Sequence, residues 1–125
     1  STVTHVDSTA GQLTGIAFNA LGTRAYISNA SNQKVLVLNT NTFALIDTIS
    51  VGFAPAGLAI SPDGSRLYVV NGWDHTVSEV RTSTNTVIKT IDVGFYPHEV
   101  VISPDGTRAY VTSGGTDEVV VLQLV

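Results

Sequence analysis

Ser61-Pro62-Asp63-Gly64-Ser65-Arg66-Leu67-Tyr68-Val69-Val70-Asn71 recurs as Ser103-Pro104-Asp105-Gly106-Thr107-Arg108-Ala109-Tyr110-Val111-Thr112-Ser113, a spacing of 42 residues. One interval back lies Asn19-Ala20-Leu21-Gly22-Thr23-Arg24-Ala25-Tyr26-Ile27-Ser28-Asn29, a degraded copy. The same shift maps Val51-Gly52-Phe53-Ala54-Pro55 onto Val93-Gly94-Phe95-Tyr96-Pro97. The 125 residues therefore hold just under three repeats. Self-similarity at such a period decides the architecture before any single residue is weighed.

Each repeat reads as four short strands. Leu58-Ala59-Ile60 runs into the Pro62-Asp63-Gly64 turn, where proline presets φ and glycine accepts positive φ. Residues 66–71, rich in Tyr and Val, form a second strand, 76–81 a third and 86–93 a fourth. Turns at Asn71-Gly72-Trp73-Asp74 and Thr82-Ser83-Thr84-Asn85 separate them. Four strands every 42 residues, with no sustained 3.6-residue period, predict an all-β chain built as β-propeller blades. The whole of 1–125 is expected to be one propeller segment, with blade repeats at 14–51, 56–93 and 98–125.

The second strands read Tyr26-Ile27-Ser28-Asn29, Tyr68-Val69-Val70-Asn71 and Tyr110-Val111-Thr112-Ser113. With the Ser-Pro-Asp-Gly turns, Thr40-Asn41-Thr42, Thr84-Asn85-Thr86 and Val-Gly-Phe-x-Pro, the chain resembles the YVTN family of β-propeller repeats over nearly its whole length. The resemblance implies the propeller fold, and by analogy with surface-layer and secreted propellers an extracellular or cell-surface location. It implies no single function. Members of that family close with about seven blades, and propellers generally need ~4–8.

Three blades cannot form a ring. Residues 118–124 align with a third strand, so the last blade lacks a fourth strand of its own. Thr2, Val3, Thr4, His5, Val6 and Asp7 are a surplus segment that resembles the fourth strand Val87-Ile88-Lys89-Thr90-Ile91-Asp92. The expectation is a homodimer, head to tail, closing as a six-bladed ring. In it residues 2–7 of one copy pair as a latch with Val119, Val120, Val121 and Leu122 of the other. A head-to-tail contact avoids an open fibre only if its rotation closes.

Composition narrows the function. The net charge is -4 with only 6 Lys plus Arg, so there is no basic patch to neutralise phosphates, and no nucleic-acid partner is expected. No apolar run reaches the ~20 residues that span a bilayer, and no membrane insertion is expected. No basic-then-apolar leader opens the sequence. Cysteine is absent, which excludes disulfides, thiolate catalysis and zinc-thiolate sites.

A four-stranded meander puts the turns between blades on one face with the turns between second and third strands. That face gathers Phe53, Trp73, Asp74, His75, Phe95, Tyr96, His98 and Glu99. Phe53 and Phe95 recur and read as packing residues. Trp73 replaces Ser31 and Gly115, so no repeat-wide role requires it. Trp73, Asp74, His75, Tyr96, His98 and Glu99 are the candidates for contacting a protein or glycan partner at the channel mouth. His98 and Glu99 are also the one neighbouring pair with ligand chemistry. They face opposite ways if their strand is regular, so no metal, no cofactor and no catalytic group is expected. Arg24, Arg66 and Arg108 recur with the scaffold and are expected to tie the turns beside Asp63 and Asp105. Asn29-Ala30-Ser31 is a glycosylation sequon. The leading expectation is a non-enzymatic assembly or binding scaffold. The alternatives are a metal-binding or hydrolytic propeller using His98 and Glu99, or an excised or engineered repeat fragment.

Overall fold

The computed structural model describes residues 1–6 and 11–124. The described residues contain eleven strands and no helix, and no helix is long and apolar enough to cross a membrane. The strands are β1 (Leu13–Phe18), β2 (Arg24–Asn29), β3 (Lys34–Asn39), β4 (Leu45–Ser50), β5 (Pro55–Ile60), β6 (Arg66–Asn71), β7 (Thr76–Arg81), β8 (Thr86–Asp92), β9 (Pro97–Ile102), β10 (Arg108–Ser113) and β11 (Glu118–Gln123). They form three antiparallel meanders, β1-β2-β3-β4, β5-β6-β7-β8 and β9-β10-β11. The third sheet has three strands among the described residues, and β11 is its free edge. Thr2, Val3, Thr4, His5 and Val6 are exposed and outside any strand; Asp7 lies outside the described residues.

The turns explain why the strands stop where they do. Asp63 Oδ1 accepts hydrogen bonds from Ser61 Oγ (2.7 Å), Ser65 N (2.9 Å) and Ser65 Oγ (2.8 Å). Gly64 closes the turn with φ 77°. Asp105 repeats this with Ser103 and Thr107. In the degraded copy Gly22 keeps the left-handed conformation at φ 70°, Leu21 stands in place of the aspartate, and Asn19 Oδ1 takes the Arg24 N–H at 3.0 Å as Ser61 Oγ and Ser103 Oγ take those of Arg66 and Arg108. Hydroxyls rather than arginines hold the aspartates. The Arg24 and Arg66 guanidinium groups donate to the carbonyls of Thr23 and Ser65, Arg66 pairs with Glu79 at 3.3 Å, and Arg108 reaches Gln123.

The sheets stack face to face, and the core lies between them. Tyr26, Val35, Val37 and Ile49 of the first sheet pack on Leu58, Leu67, Val69 and Val80 of the second. Tyr68, Val70 and Val77 on the second sheet's other face pack on Val100, Ala109 and Val111 of the third. The strands alternate between the two faces, as a sheet buried on both sides requires. Innermost strands β1, β5 and β9 approach closely. A Cβ on Gly15 would stand 2.6 Å from the Ala56 carbonyl oxygen, and one on Gly57 2.7 Å from the Glu99 Cα. Glycine is thus required at both places by the neighbouring backbone.

Candidate functional site

The innermost strands share one irregularity, and it shapes the candidate site. Register shifts fall between Leu13 and Gly15, between Pro55 and Leu58, and where Pro97 and Val100 pair with Ser113 and Val111. A bulge sets an extra residue against the partner strand and re-aims its side chains. His98 and Glu99 sit in the third of these bulges. The regular alternation that would send them to opposite faces does not hold there, and that ground for excluding joint action is corrected.

The six candidate residues divide into three groups. Trp73, Tyr96 and His98 share one cavity of about 350 Å³ that spans all three sheets. Its other lining residues include Gln12 and Thr14 from the first repeat, Pro55 and Gly72 from the second, and Pro97 and Gly114 from the third. Trp73 is 75% exposed and Tyr96 56%. Three hydrogen bonds repeated at the 42-residue interval hold the rim: Ala30 N to the Gln12 carbonyl, Gly72 N to the Ala54 carbonyl, and Gly114 N to the Tyr96 carbonyl. Ala54 and Tyr96 both take positive φ, so the rim loops share one backbone shape.

Asp74 and His75 are engaged in holding loops. Asp74 Oδ2 accepts the Phe53 N–H at 2.8 Å. His75 Nδ1 accepts the Tyr96 N–H at 3.0 Å, and its ring meets Phe95 and Tyr96 edge-on. Such an Nδ1 is an acceptor and the neutral ring carries its proton on Nε2. Glu99 stands apart from the cavity lining. Its backbone N donates to Thr112 Oγ1 at 3.1 Å, and its carboxylate curls over Gly57. Among the described residues no three His, Asp or Glu side chains gather to hold a metal ion. Asn29 is fully buried, which withdraws the sequon from the surface.

Thr14, Pro55 and Pro97 were missed as lining residues. A signal was available, because Thr14 lies at the 42-residue interval from Ala56 and His98. Thr14 Oγ1 donates to the Pro55 carbonyl at 2.7 Å and Ser28 Oγ to the Ala56 carbonyl at 2.6 Å, so the first two sheets are stitched beside the cavity.

A second surface emerges from comparing equivalent positions. Leu58 is 8% exposed inside the first junction, whereas its equivalent Ile16, on the uncovered face of the first sheet, is 60% exposed. Phe18 beside it is 58% exposed. On the uncovered face of the third sheet Val119 is 62% exposed, while Val35 and Val77 at the same place are at 0%. Val101, Tyr110 and Val121 are exposed with it. Two apolar faces of complementary kind therefore stand open at opposite ends of the stack.

No family model matches the chain, and no curated protein matches it. Solved structures do. Hydrazine synthase from Kuenenia stuttgartiensis is similar over 97% of this chain and 35% of its own, with TM-score 0.88 and 32% identity. Two proteins named as 6-phosphogluconolactonases are also similar. The one from Bacteroides uniformis covers 90% of this chain and 37% of its own, with TM-score 0.79 and 16% identity. The one from Bacteroides fragilis covers 86% and 33%, with TM-score 0.78 and 24% identity. The three sheets are propeller blades. This chain spans about a third of the length of the structures it matches.

Proposed function

We propose that the protein is a non-enzymatic propeller scaffold of YVTN type that joins copies of itself head to tail, the open face of the first blade seating on the open face of the third. The supporting observation is the pairing of equivalent positions. Ile16 and Phe18 repeat residues that face a neighbouring blade inside the stack, and Tyr110 and Val119 repeat the surface that receives them. Burying such faces is favourable at about 25 cal/mol per Å². Leaving them and the β11 edge bare invites uncontrolled pairing. In the six-bladed dimer, Thr2 to Val6 take the vacant fourth-strand position along β11 of the other blade set, beside Val119, Val120, Val121 and Leu122. The cavity rimmed by Trp73, Tyr96 and His98 is the surface offered to a glycan or protein partner, two exposed aromatic faces being suited to stacking.

Light scattering in line with size exclusion tests this. The expected species has twice the 13.1 kDa chain mass, and removal of residues 1–7 weakens it. A folded monomer at every concentration defeats the reading.

The second reading is a catalytic or metal-binding propeller. Enzyme names among the structural neighbours and the shared bulge of His98 and Glu99 favour it. About one transition metal per chain in untagged protein, lost in His98→Ala, would establish it. Its absence from metal-supplemented protein supports the scaffold.

A further inference from the structure

The receiving faces of the three blades are not alike along the innermost strand. At the position that meets the next blade's backbone, the first blade has Gly15 and the second Gly57, and the third has Glu99. Two residues on, Ala17 and Ala59 pack into the two junctions, and the third blade has Val101. The glycines are needed: a Cβ on Gly15 would lie 2.6 Å from the Ala56 carbonyl oxygen, and one on Gly57 2.8 Å from the His98 carbonyl oxygen. If a second copy docked on the third blade with the same geometry, Thr14 would take the place of Ala56 and His98. The Glu99 Cβ would then press on the Thr14 carbonyl oxygen at the same short range, while its carboxylate stays turned back over Gly57. Val101 would add bulk where alanines now fit.

We infer that Glu99 and Val101 hold the junction between copies wider along the channel than the junctions within a chain, so that head-to-tail association is reversible and does not propagate by repeating the internal geometry. The occupant of this face is a second copy of the chain, and the inference rests on the self-association proposed above. The contact is made by the outer part of the face, where Tyr110, Val119 and Val121 are available to Ile16 and Phe18. An internal junction copied without this obstacle would be as tight as the core, and a heterologous contact of that strength either closes or grows.

The test is a dilution series by sedimentation velocity on four proteins: the natural sequence, Glu99→Gly with Val101→Ala, Glu99→Ala with Val101→Ala, and Ile16→Asp with Phe18→Asp. The glycine variant is expected to associate at least tenfold more tightly than the natural sequence, or to form longer head-to-tail species. The alanine variant keeps the Cβ and is expected to gain less than threefold. The Ile16→Asp, Phe18→Asp protein is expected to be monomeric, with melting curves confirming that all four are folded. Equal or weaker association of the glycine variant, while Ile16→Asp with Phe18→Asp still disrupts the dimer, overturns the inference alone. Association that survives Ile16→Asp with Phe18→Asp overturns the self-association reading. Monomers throughout overturn both. A monomeric natural sequence with an associating glycine variant upholds the obstacle and removes the natural dimer.

Discussion

The face of the second blade turned to the first and the open face of the first blade are the same part of the repeat in two settings. In one, Leu58, Leu67, Val69 and Val80 form a core; in the other, Ile16 and Phe18 face solvent. Residue type at these positions reports what the repeat is built to cover, and solvent exposure reports what covers it here. Apolar residues at both places are what the proposed seating of a second copy would cover. Truncation should separate the two settings most strongly. Leu58→Ala should lower unfolding stability by ~2–5 kcal/mol, as large-to-small changes in a core do. Ile16→Ala should change it by no more than ~0.5 kcal/mol in dilute protein, as surface changes do. Urea unfolding at low protein concentration measures both, and equal losses would mean that the first blade's open face is covered within a single chain.

The end of the second strand offers a comparison of smaller effect. Asn71 is fully buried and spends its side chain well: Nδ2 donates to Ser78 Oγ at 2.8 Å and Thr76 Oγ1 at 3.2 Å, and Oδ1 accepts the Gly52 N–H at 3.0 Å. Asn29, at the same place in the first blade, accepts from Ser31 N at 3.1 Å, and its Nδ2 has no partner among the described residues. Removing a satisfied polar group strands its partners, whereas removing one with an orphaned donor also relieves a penalty. Asn71→Ala should therefore destabilise by ~1–3 kcal/mol and Asn29→Ala by less. Thermal melts of the two variants check the order, and a larger loss at Asn29 would contradict it.

At the rim, Trp73 and His75 are two residues apart in one turn and are predicted to differ. His75→Ala loses the acceptor for the Tyr96 N–H and should destabilise by ~1 kcal/mol. Trp73→Ala should leave stability within ~0.5 kcal/mol while abolishing binding to any glycan the cavity accepts, read by array or calorimetry. A Trp73→Ala protein that melts as early as His75→Ala would make Trp73 a packing residue.

Much of this was legible in the 42-residue spacing, because repetition fixes turns and strands together: a Pro-Asp-Gly turn at one interval demands a strand on either side at every interval. The candidate surface was only partly legible. Trp73, Tyr96 and His98 come together as expected of one end of the blades. Asp74 and His75 do not line the cavity, although the His75 ring meets Tyr96 edge-on, because each is drawn to a backbone N–H of a neighbouring loop, a pairing between blades that no local pattern displays. Glu99 was read by strand alternation, which fails wherever a bulge adds a residue. The bulge itself is set by pairing with β10, a partner invisible to the local sequence of β9. The glycine-to-glutamate change at 15, 57 and 99 was in the sequence from the start. Its meaning needed the distance at which a Cβ at each of these places would meet the next blade's carbonyl.

The smallest expected effect lies in the turns that end the innermost strands, and it depends on pH. Ser65 N and the hydroxyls of Ser61 and Ser65 hold the Asp63 carboxyl down to about 2, from an ordinary 3.8. The Ser103 hydroxyl, the Thr107 N–H and the Thr107 hydroxyl do the same for Asp105, also to about 2. A carboxyl whose folded pKa is depressed stabilises the fold fully above its unfolded value. That contribution fades as pH falls from near 4 through about 2. The first blade's turn uses Asn19, which does not titrate. Acid should therefore loosen the turns of the second and third blades before that of the first. Both aspartates are solvent-exposed, so the change should be a local opening rather than global unfolding. Carboxyl and amide chemical shifts followed by NMR from pH 5 to 1.5 check this, with Asp63→Asn and Asp105→Asn as controls. The shifts of Ser65 and Thr107 should move with a midpoint near 2 while those of Thr23 stay fixed. A common midpoint at all three turns would show that the hydroxyl cradle and the asparagine turn respond alike, and the distinction drawn between them would fail.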